Sequence, residues 1–247
     1  MRLTLLGSGG FMPTDRRETA CALVRSGDAA VLIDAGTGAR RLLTEPGLLE
    51  GVERLHVVLT HFHLDHTIGL FYVTDVEPRV EVWGAGQALE ETPTSHLLGR
   101  LLGSPFAPRT FLSRIAAVHD MAIGHTQIGP FGLETRVQPR HINPTLALRF
   151  GDELVWCTDT AYDDGNREFA RGAGVLCHEA FYPSDTTSDP GHTAAGDAAR
   201  LAAAAGVDRL ILIHVNPELD DDDGLLNIAR AQFAATQVGR DGAVVLR

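Results

Sequence analysis

The stretch Leu55-His56-Val57-Val58-Leu59-Thr60-His61-Phe62-His63-Leu64-Asp65-His66 joins an apolar run to a cluster of metal-binding side chains. Residues 55–60 predict a buried β-strand, because Leu and Val dominate a run of strand length. Three imidazoles and a carboxylate follow at 61–66, and the segment 68–73 beyond them is again apolar. Imidazole nitrogen and carboxylate oxygen are ligands that Zn²⁺, Mn²⁺ and Fe²⁺ accept. The stretch therefore predicts a metal site at the end of a strand rather than a histidine-rich surface loop.

Three more metal-binding side chains follow apolar runs further along the chain. His141 comes after the strand-like segment 133–138, Asp159 after 154–158 and His214 after 210–213. The end of a buried strand holds its side chains in fixed positions, whereas a histidine elsewhere on the surface is not held in this way. These three residues are therefore candidates for the same metal site as the cluster at 61–66.

The pattern His-x-His-x-Asp-His after a buried strand, with a later His, Asp and His at strand ends, resembles the metallo-β-lactamase superfamily. Residues 5–9 and the turn 34–36 are similar to that family's first strand and D-x-G turn, so the resemblance covers nearly the whole chain. It implies an α/β fold, a four-layer αβ/βα sandwich of two packed mixed β-sheets with helices outside. The order of predicted strands and helices agrees with such layers, and we expect one domain over residues 1–247.

The resemblance also implies two divalent metal ions per chain, zinc first, with Mn²⁺ or Fe²⁺ as alternatives. The first would be held by His61, His63 and His141, the second by Asp65, His66 and His214, with Asp159 as the bridge. A hydroxide shared by the two metals would be the nucleophile, because a metal lowers the pKa of its water from 15.7 to about 7.

Three short motifs are similar to those of the ribonuclease Z-like branch: residues 158–160 (TDT), 178–181 (HEAF) and 191–194 (GHTA). In that branch the His of the last motif assists as a proton donor, so His192 is the candidate general acid. Glu179 either orients His192 or satisfies a buried polar network, and the role of His178 stays open. Asp65, His192 and Glu179 form the candidate catalytic set.

The substrate is expected to be a small or flexible phosphodiester. Ribonuclease Z enzymes that mature transfer RNA carry a long arm between the third-motif His and the bridging Asp, whereas here only 17 residues lie between His141 and Asp159. The net charge is −11 and the 21 basic residues, all Arg, are scattered. A large nucleic-acid footprint needs a basic patch, so a folded transfer RNA is not the expected substrate. The segment 214–217 (HVNP) is closer to small relatives such as the cyclic-phosphodiester hydrolases.

Other functions stay open at this point. The same dinuclear centre hydrolyses lactones, thioesters and amides, and a transfer-RNA 3′-processing endonuclease of the ribonuclease Z type is a further alternative. A diiron redox protein of this superfamily characteristically carries Glu where this chain has His63. A binding module that lost catalysis would usually lose some of the seven ligands.

The remaining features predict the setting of the protein. Residues 1–6 lack the length and cleavage site of a signal peptide, and no apolar run reaches the ~18–20 residues that span a bilayer. We expect a cytoplasmic protein without a membrane partner. A homodimer stays open, because dimers are common in the superfamily. The three cysteines, Cys21, Cys157 and Cys177, form no CxxC pair and are expected to be buried thiols. Residues 86–116 are expected to be mostly helical and to form a wall over the metals.

Overall fold

The structure, a computed structural model, describes residues 1–108 and 110–246. Its strands are β1 (Arg2–Gly7), β2 (Cys21–Ser26), β3 (Ala29–Ile33), β4 (Arg54–Val58), β5 (Arg79–Gly84), β6 (Ala117–Asp120), β7 (Gly124–Ile128), β8 (Phe131–Gln138), β9 (Thr145–Phe150), β10 (Leu154–Cys157), β11 (Val175–Glu179), β12 (Arg209–Ile213), β13 (Thr236–Val238) and β14 (Val244–Leu246). Its α-helices are α1 (Arg41–Thr44), α2 (Leu64–Thr67), α3 (Leu70–Val73), α4 (Gly86–Glu90), α5 (Thr94–Leu101), α6 (Asp164–Phe169), α7 (Ala195–Ala205) and α8 (Asp223–Gln232).

The strands form two seven-stranded mixed sheets with the orders β14-β1-β2-β3-β4-β5-β6 and β13-β12-β11-β10-β9-β8-β7. In the first sheet β14 to β3 pair antiparallel and β3 to β6 pair parallel. In the second sheet β10 to β13 pair parallel and β7 to β10 pair antiparallel. The two sheets therefore have matching halves, each with a hairpin part and a parallel part.

Hydrophobic residues on both faces of each sheet produce the four layers. In β1, Leu5 packs into the core between the sheets and Leu6 into the core under the outer helices, because successive side chains point to opposite faces. In β10, Trp156 enters the core between the sheets, whereas Val155 enters the outer core. The outer core of the first sheet includes residues of α1, α3 and α5, and that of the second includes residues of α7 and α8. The predicted four-layer αβ/βα fold is confirmed.

Most predicted elements are present, and the differences are local. The sequence also predicts helices at 36–43 and 225–236, but the first is a 3-10 turn followed by α1, and the second ends at residue 232. The segment 86–116, expected to be mostly helical, holds two short helices and a 3-10 turn among its described residues. Strands β6, β11 and β13 and helix α6 were not predicted. These elements are only three to six residues long, so neither period repeats often enough to be recognised.

None of the described helices is both long and apolar enough to cross a bilayer. The cysteines Cys21, Cys157 and Cys177 are buried and free, as predicted. Burial raises the pKa of all three thiols. They therefore act as small apolar side chains of the cores.

Candidate metal centre

Loops at one edge of both sheets bring the predicted ligands together. His61 and His63 lie in the loop after β4, and Asp65 and His66 lie in α2 directly beyond it. His141, Asp159 and His214 follow β8, β10 and β12 of the second sheet. These three strands run in the same direction, so their carboxyl ends meet at one edge, where binding sites of α/β sheets usually lie. All seven residues stand on loops or a short helix fixed by buried strands.

A first group consists of His61, His63, His141 and Asp159, each with a ligand atom within 4.8 Å of the others. His63 Nδ1 lies 3.3 Å from His141 Nε2. Asp159 Oδ1 lies 3.9 Å from His61 Nε2 and 3.8 Å from His141 Nε2. Such convergence of nitrogen and oxygen atoms is the arrangement that a tetrahedral divalent metal requires.

A second group consists of Asp65, His66 and His214. Asp65 Oδ2 lies 3.4 Å from His66 Nε2 and 3.5 Å from His214 Nε2. The Asp159 carboxylate reaches this group too, because its oxygens lie 3.1 Å from His66 Nε2 and 3.2 Å from His214 Nε2. Asp159 therefore stands between the two groups, at the position where the family resemblance implies a bridging ligand.

Several ring nitrogens of this cluster are buried without a hydrogen-bond partner among the described residues: His61 Nε2, His66 Nε2 and both nitrogens of His214. A buried polar atom without a partner costs about 1–3 kcal/mol, and such atoms are rare in folded proteins. Three of these nitrogens approach Asp159 Oδ1 or Oδ2 within 4 Å. The orphaned nitrogens and the mixed imidazole and carboxylate donors fit divalent metal ions.

The charges of the cluster also attract a cation. Burial alone would raise the pKa of Asp159, but His214, His66 and His61 hold it well below its usual value. Burial would lower the pKa of His66, but the carboxylates of Asp159, Asp65 and Asp34 raise it well above its usual value. Burial lowers the pKa of His61, which leaves that imidazole neutral. A metal ion and a proton on His66 are therefore alternative ways of balancing these carboxylates.

Asp34 supports the cluster from behind, a role that the sequence analysis missed. His66 Nδ1 donates to Asp34 Oδ2 at 2.9 Å, which leaves His66 Nε2 for a metal. The Thr60 amide donates to Asp34 Oδ1 at 2.7 Å, and the Thr60 hydroxyl donates to the same carboxylate. Such outer hydrogen bonds fix the tautomer and orientation of a ligating imidazole. The D-x-G turn at residues 34–36 is the sequence feature that could have indicated this role of Asp34.

Other contacts hold the remaining ligands. His141 Nδ1 donates to the carbonyl oxygen of Gly191 at 2.8 Å. The amide of Phe11 donates to Asp65 Oδ2 at 2.9 Å. Asn143 Oδ1 lies 3.1 Å from His63 Nε2. These partners come from three separate loops, so sequence spacing contained no signal for them.

Three residues of the site have a left-handed backbone although none is glycine. The φ angle is 55° at Asp34 and 50° at both Asp159 and His214. This conformation costs about 1–2 kcal/mol for a residue with a Cβ. All three follow directly or within two residues of a buried strand, and their side chains lie against His66. Backbone strain of this kind is concentrated at functional sites.

His192 and Glu179 form a pair beside the cluster. His192 Nδ1 lies 3.1 Å from Glu179 Oε2, and the fully buried Glu179 carboxylate also accepts from the amides of Thr160 and Thr193. Burial would lower the pKa of His192, but the hydrogen bond and charge of Glu179 raise it. A ligand atom of His192 lies within 4.8 Å of Asp159 and His214.

The remaining histidines lie elsewhere. His178 is buried in β11, and its Nδ1 donates to the carbonyl oxygen of Glu179 at 2.8 Å. His56 and His119 lie beside Glu81 on the first sheet. The groups that could hold a metal among the described residues include none of these three.

Comparison with known proteins agrees with the fold and with the candidate metal centre. A family model described as a beta-lactamase superfamily domain matches residues 29–215. The chain is 29% identical to a ribonuclease Z of Bradyrhizobium sp. (strain ORS 278), over 97% of each chain. It is 27% identical to the probable metallo-hydrolase YhfI of Bacillus subtilis (strain 168), over 94% of each chain.

Two solved structures share the architecture. The metallo-beta-lactamase fold protein YhfI from Bacillus subtilis superposes with a TM-score of 0.79 at 22% identity, over 98% of each chain. A diphosphatase from the PhnP family superposes with a TM-score of 0.75 at 21% identity, over 100% of this chain and 97% of the other. At such identities the likeness shows a shared fold.

Proposed function

The chain belongs to the beta-lactamase superfamily, and on that premise we propose that it is a dinuclear metal-dependent phosphodiesterase of small or flexible substrates. The observation that carries the proposal is the convergence of two donor groups on Asp159. Hydrolysis adds the oxygen of water to phosphorus and breaks the bond to the leaving oxygen, which takes up a proton. The products are a phosphomonoester and an alcohol.

The two donor groups are the proposed ligands of two metal ions. His61, His63 and His141 would hold the first and Asp65, His66 and His214 the second, with Asp159 shared. Zinc is the first metal to test, and Mn²⁺ and Fe²⁺ suit the same donors. When bound, the metals would lower the pKa of a water molecule and offset negative charge on the phosphoryl oxygens. Asp65 would act through its metal, as a ligand fixed by the amide of Phe11.

His192 is the proposed general acid and Glu179 its positioning residue. Glu179 engages His192 Nδ1, so Nε2 is the ring nitrogen left for a leaving oxygen. The ring of Phe181 stacks on His192 at 4.4 Å between centroids, which restrains the imidazole further. The raised pKa of His192 keeps a proton available for transfer.

This role predicts a dependence on the leaving group. His192→Ala is expected to lower kcat by about 10²–10⁴-fold for a diester with an alkoxide leaving group, since that group needs a proton. The loss should be much smaller for 4-nitrophenolate, which leaves without one. Elemental analysis should find unchanged metal content. An equal loss of kcat for both leaving groups would contradict the role of His192 as general acid.

Three features support a small or flexible substrate. Strands β9 and β10 occupy most of the chain between His141 and Asp159 and form a hairpin that turns at Gly151, so this part of the chain carries no long arm for transfer RNA. Large apolar side chains, Phe11, Leu64 and Ile142, are exposed beside the predicted ligands. With a net charge of −11, these features disfavour a folded polyanion.

A ribonuclease Z-type endonuclease is the second candidate. The relatives named ribonuclease Z, matched over nearly the whole chain, support it. Cleavage of a precursor transfer RNA at its 3′ trailer, compared with cleavage of a short diester, would discriminate between the two. Hydrolysis of a lactone, thioester or amide is the third, and a panel of such esters tests it.

The first experiment measures metal content by elemental analysis and turnover of bis(4-nitrophenyl) phosphate on the same preparation. We expect about two metals per chain and turnover that is lost on chelation and restored by Zn²⁺ or Mn²⁺. Two metals without diester turnover would favour the alternative function, the hydrolysis of a lactone, thioester or amide. A folded protein that bound no metal would contradict the proposal. A homodimer remains a prediction, which sedimentation equilibrium would test.

A further inference from the structure

An open cavity of about 640 Å³ adjoins the metal centre on the side of His141. Its lining includes Arg140, His141, Tyr162 and Ser188, together with Asp189. A volume of this size lies within the range of about 300–1,000 Å³ that is usual for small-molecule sites. His141 belongs both to this lining and to the first donor group, so the cavity and the candidate metal centre share this side chain.

Arg140 is the cation of this cavity that has no carboxylate partner among the described residues. Its Nη1 donates to the carbonyl oxygen of Tyr162 at 3.1 Å, which is the only hydrogen bond that its guanidinium makes to described residues. The amide of Ala161 donates to the carbonyl oxygen of Arg140 at 2.7 Å. Backbone and side chain thus both tie Arg140 to the segment 161–162, which holds the guanidinium at the cavity while most of its donors stay available.

The two carboxylates of the cavity are already engaged. Asp189 accepts hydrogen bonds from the amides of Gly191 and His192 and from the hydroxyl of Tyr182. Asp197 forms an ion pair with Arg200 at 2.7 Å. The oxygens of both carboxylates are therefore occupied by local donors, whereas most donors of Arg140 remain available to an anion from solution.

The cavity lies on the side from which the leaving group departs. Asp189, which lines it, accepts a hydrogen bond from the amide of His192 at 3.1 Å, and the ring of His141, also in the lining, lies 5.0 Å from the ring of His192, the proposed general acid. The acid must stand next to the leaving oxygen, because it protonates that atom. A leaving group protonated by His192 is therefore adjacent to the cavity that holds Arg140.

We propose that this cavity binds a second anionic group, a phosphate or a carboxylate, carried by the leaving alcohol of the substrate. The inference rests on the proposed function and narrows it to diesters whose alcohol product is itself an anion. Arg140 is the specificity-determining residue, since its planar donors match two oxygens of either anion.

The test compares methyl 4-nitrophenyl phosphate with methyl 3-carboxy-4-nitrophenyl phosphate on metal-loaded protein. Each kcat/KM is divided by the rate of uncatalysed hydrolysis, which corrects for the reactivity of the leaving group. We expect the carboxylated diester to be preferred about tenfold, in the range of one charge-assisted hydrogen bond. A third substrate with a phosphonomethyl group in place of the carboxyl shows which anion is preferred, and preference for either supports the inference.

Arg140→Gln is expected to bring the ratio of the two substrates close to one. The control is Arg54→Gln, since Arg54 is exposed at the start of β4, opposite the metal edge, and should keep the ratio. A preference that survived in Arg140→Gln, or that was absent from the parent protein, would overturn the inference.

Calorimetry separates this inference from the proposed function. The ligands are 4-nitrophenol and 5-hydroxy-2-nitrobenzoate, the alcohol products of the two diesters. If neither diester is hydrolysed, the proposed function fails. The calorimetric binding of the two products then tests the cavity as an anion site by itself. Binding of the benzoate at least about tenfold tighter, lost in Arg140→Gln, supports the inference. Equal binding of both ligands contradicts it.

Discussion

Asp159 is the residue on which both donor groups depend. One of its oxygens lies within 4 Å of His61 and His141, and its two oxygens lie closer still to His66 and His214. The Thr158 hydroxyl donates to Asp159 Oδ2 at 2.6 Å, which helps to hold the carboxylate in a strained left-handed turn. In the proposed dinuclear centre, the charge and the position of this single side chain would both be needed to hold two cations side by side.

Asp159→Asn is therefore expected to reduce bound metal from about two ions per chain to one or fewer. Diester turnover should fall by at least about 100-fold. Loss of a residue that only orients a metal ligand already lowers metal affinity or activity by about 10–100-fold, and Asp159 is proposed to be a ligand itself. Elemental analysis and turnover of the same sample measure both effects. The control is Asp164→Asn, an exposed carboxylate five residues further along the chain. Full metal content in Asp159→Asn would contradict the bridging role.

Gly10 is needed because no side chain fits between its backbone and His214. A Cβ built on Gly10 would lie 2.4 Å from Cε1 of His214. Gly10→Ala is therefore expected to displace the imidazole and to weaken metal binding at the second group, with turnover reduced at least about tenfold.

A metal titration followed by calorimetry measures the effect of Gly10→Ala. Gly224→Ala is the matched control, because a Cβ at Gly224 meets no heavy atom within 4 Å. Metal affinity that was equal in the two variants would show that His214 adapts or that it is no ligand.

At the scale of the element, α7 connects core packing to His192, the proposed general acid. Its buried face consists mainly of small residues, including Ala195, Ala198 and Ala202, and they belong to the outer core of the second sheet. Small side chains let the helix lie close to the sheet. The residues that precede α7, His192 and Thr193, are bonded to Glu179. His192 is therefore held between the start of α7 and Glu179 at the end of β11.

Ala202→Leu is expected to destabilise the fold by about 1–3 kcal/mol, because a close-packed core accepts extra methylene groups poorly. Urea unfolding monitored by circular dichroism measures the change. Ala203→Leu places the same side chain on the exposed face of α7 and should change the free energy of unfolding by less than about 0.5 kcal/mol. Equal values for the two variants would show that the buried face has room to spare.

At the scale of the whole molecule, the candidate metal centre joins the two sheets. The donors from 61–66 belong to the first sheet, whereas His141, Asp159 and His214 belong to the second. Since neither sheet holds a complete donor group, we propose that the chain is one domain whose halves are stabilised together by bound metal. Without metal, several buried nitrogens lack partners among the described residues, which is unfavourable.

Removal of metal with EDTA is expected to lower Tm by about 5–10 °C. Metal at 100 times its Kd stabilises the native state by about 2.7 kcal/mol, and each kcal/mol shifts Tm by about 2–4 °C in a chain of this size. Thermal melts with and without EDTA, followed by restoration with Zn²⁺, measure the shift. Asp159→Asn should respond much less. A Tm that stayed unchanged in a sample from which EDTA had removed all metal would contradict the stabilisation of the two halves by bound metal.

The sequence alone determined the fold class and the candidate ligands. The cluster at 61–66 is contained in six residues, so its meaning did not depend on distant contacts. His141, Asp159 and His214 could be chosen because each follows an apolar run that predicts a strand. The structure brings all seven together, and their binding of metal stays a prediction.

Only the tertiary structure decided how residues far apart in the chain meet. Asp34 behind His66, Gly10 against His214, and the cavity between Arg140 and Ser188 all join loops that are 32 to 204 residues apart. No periodicity in the sequence encodes such distances, because they are set by the packing of two sheets across a shared core. Local patterns predict which strand end carries a ligand, whereas sheet packing determines which strand ends face each other.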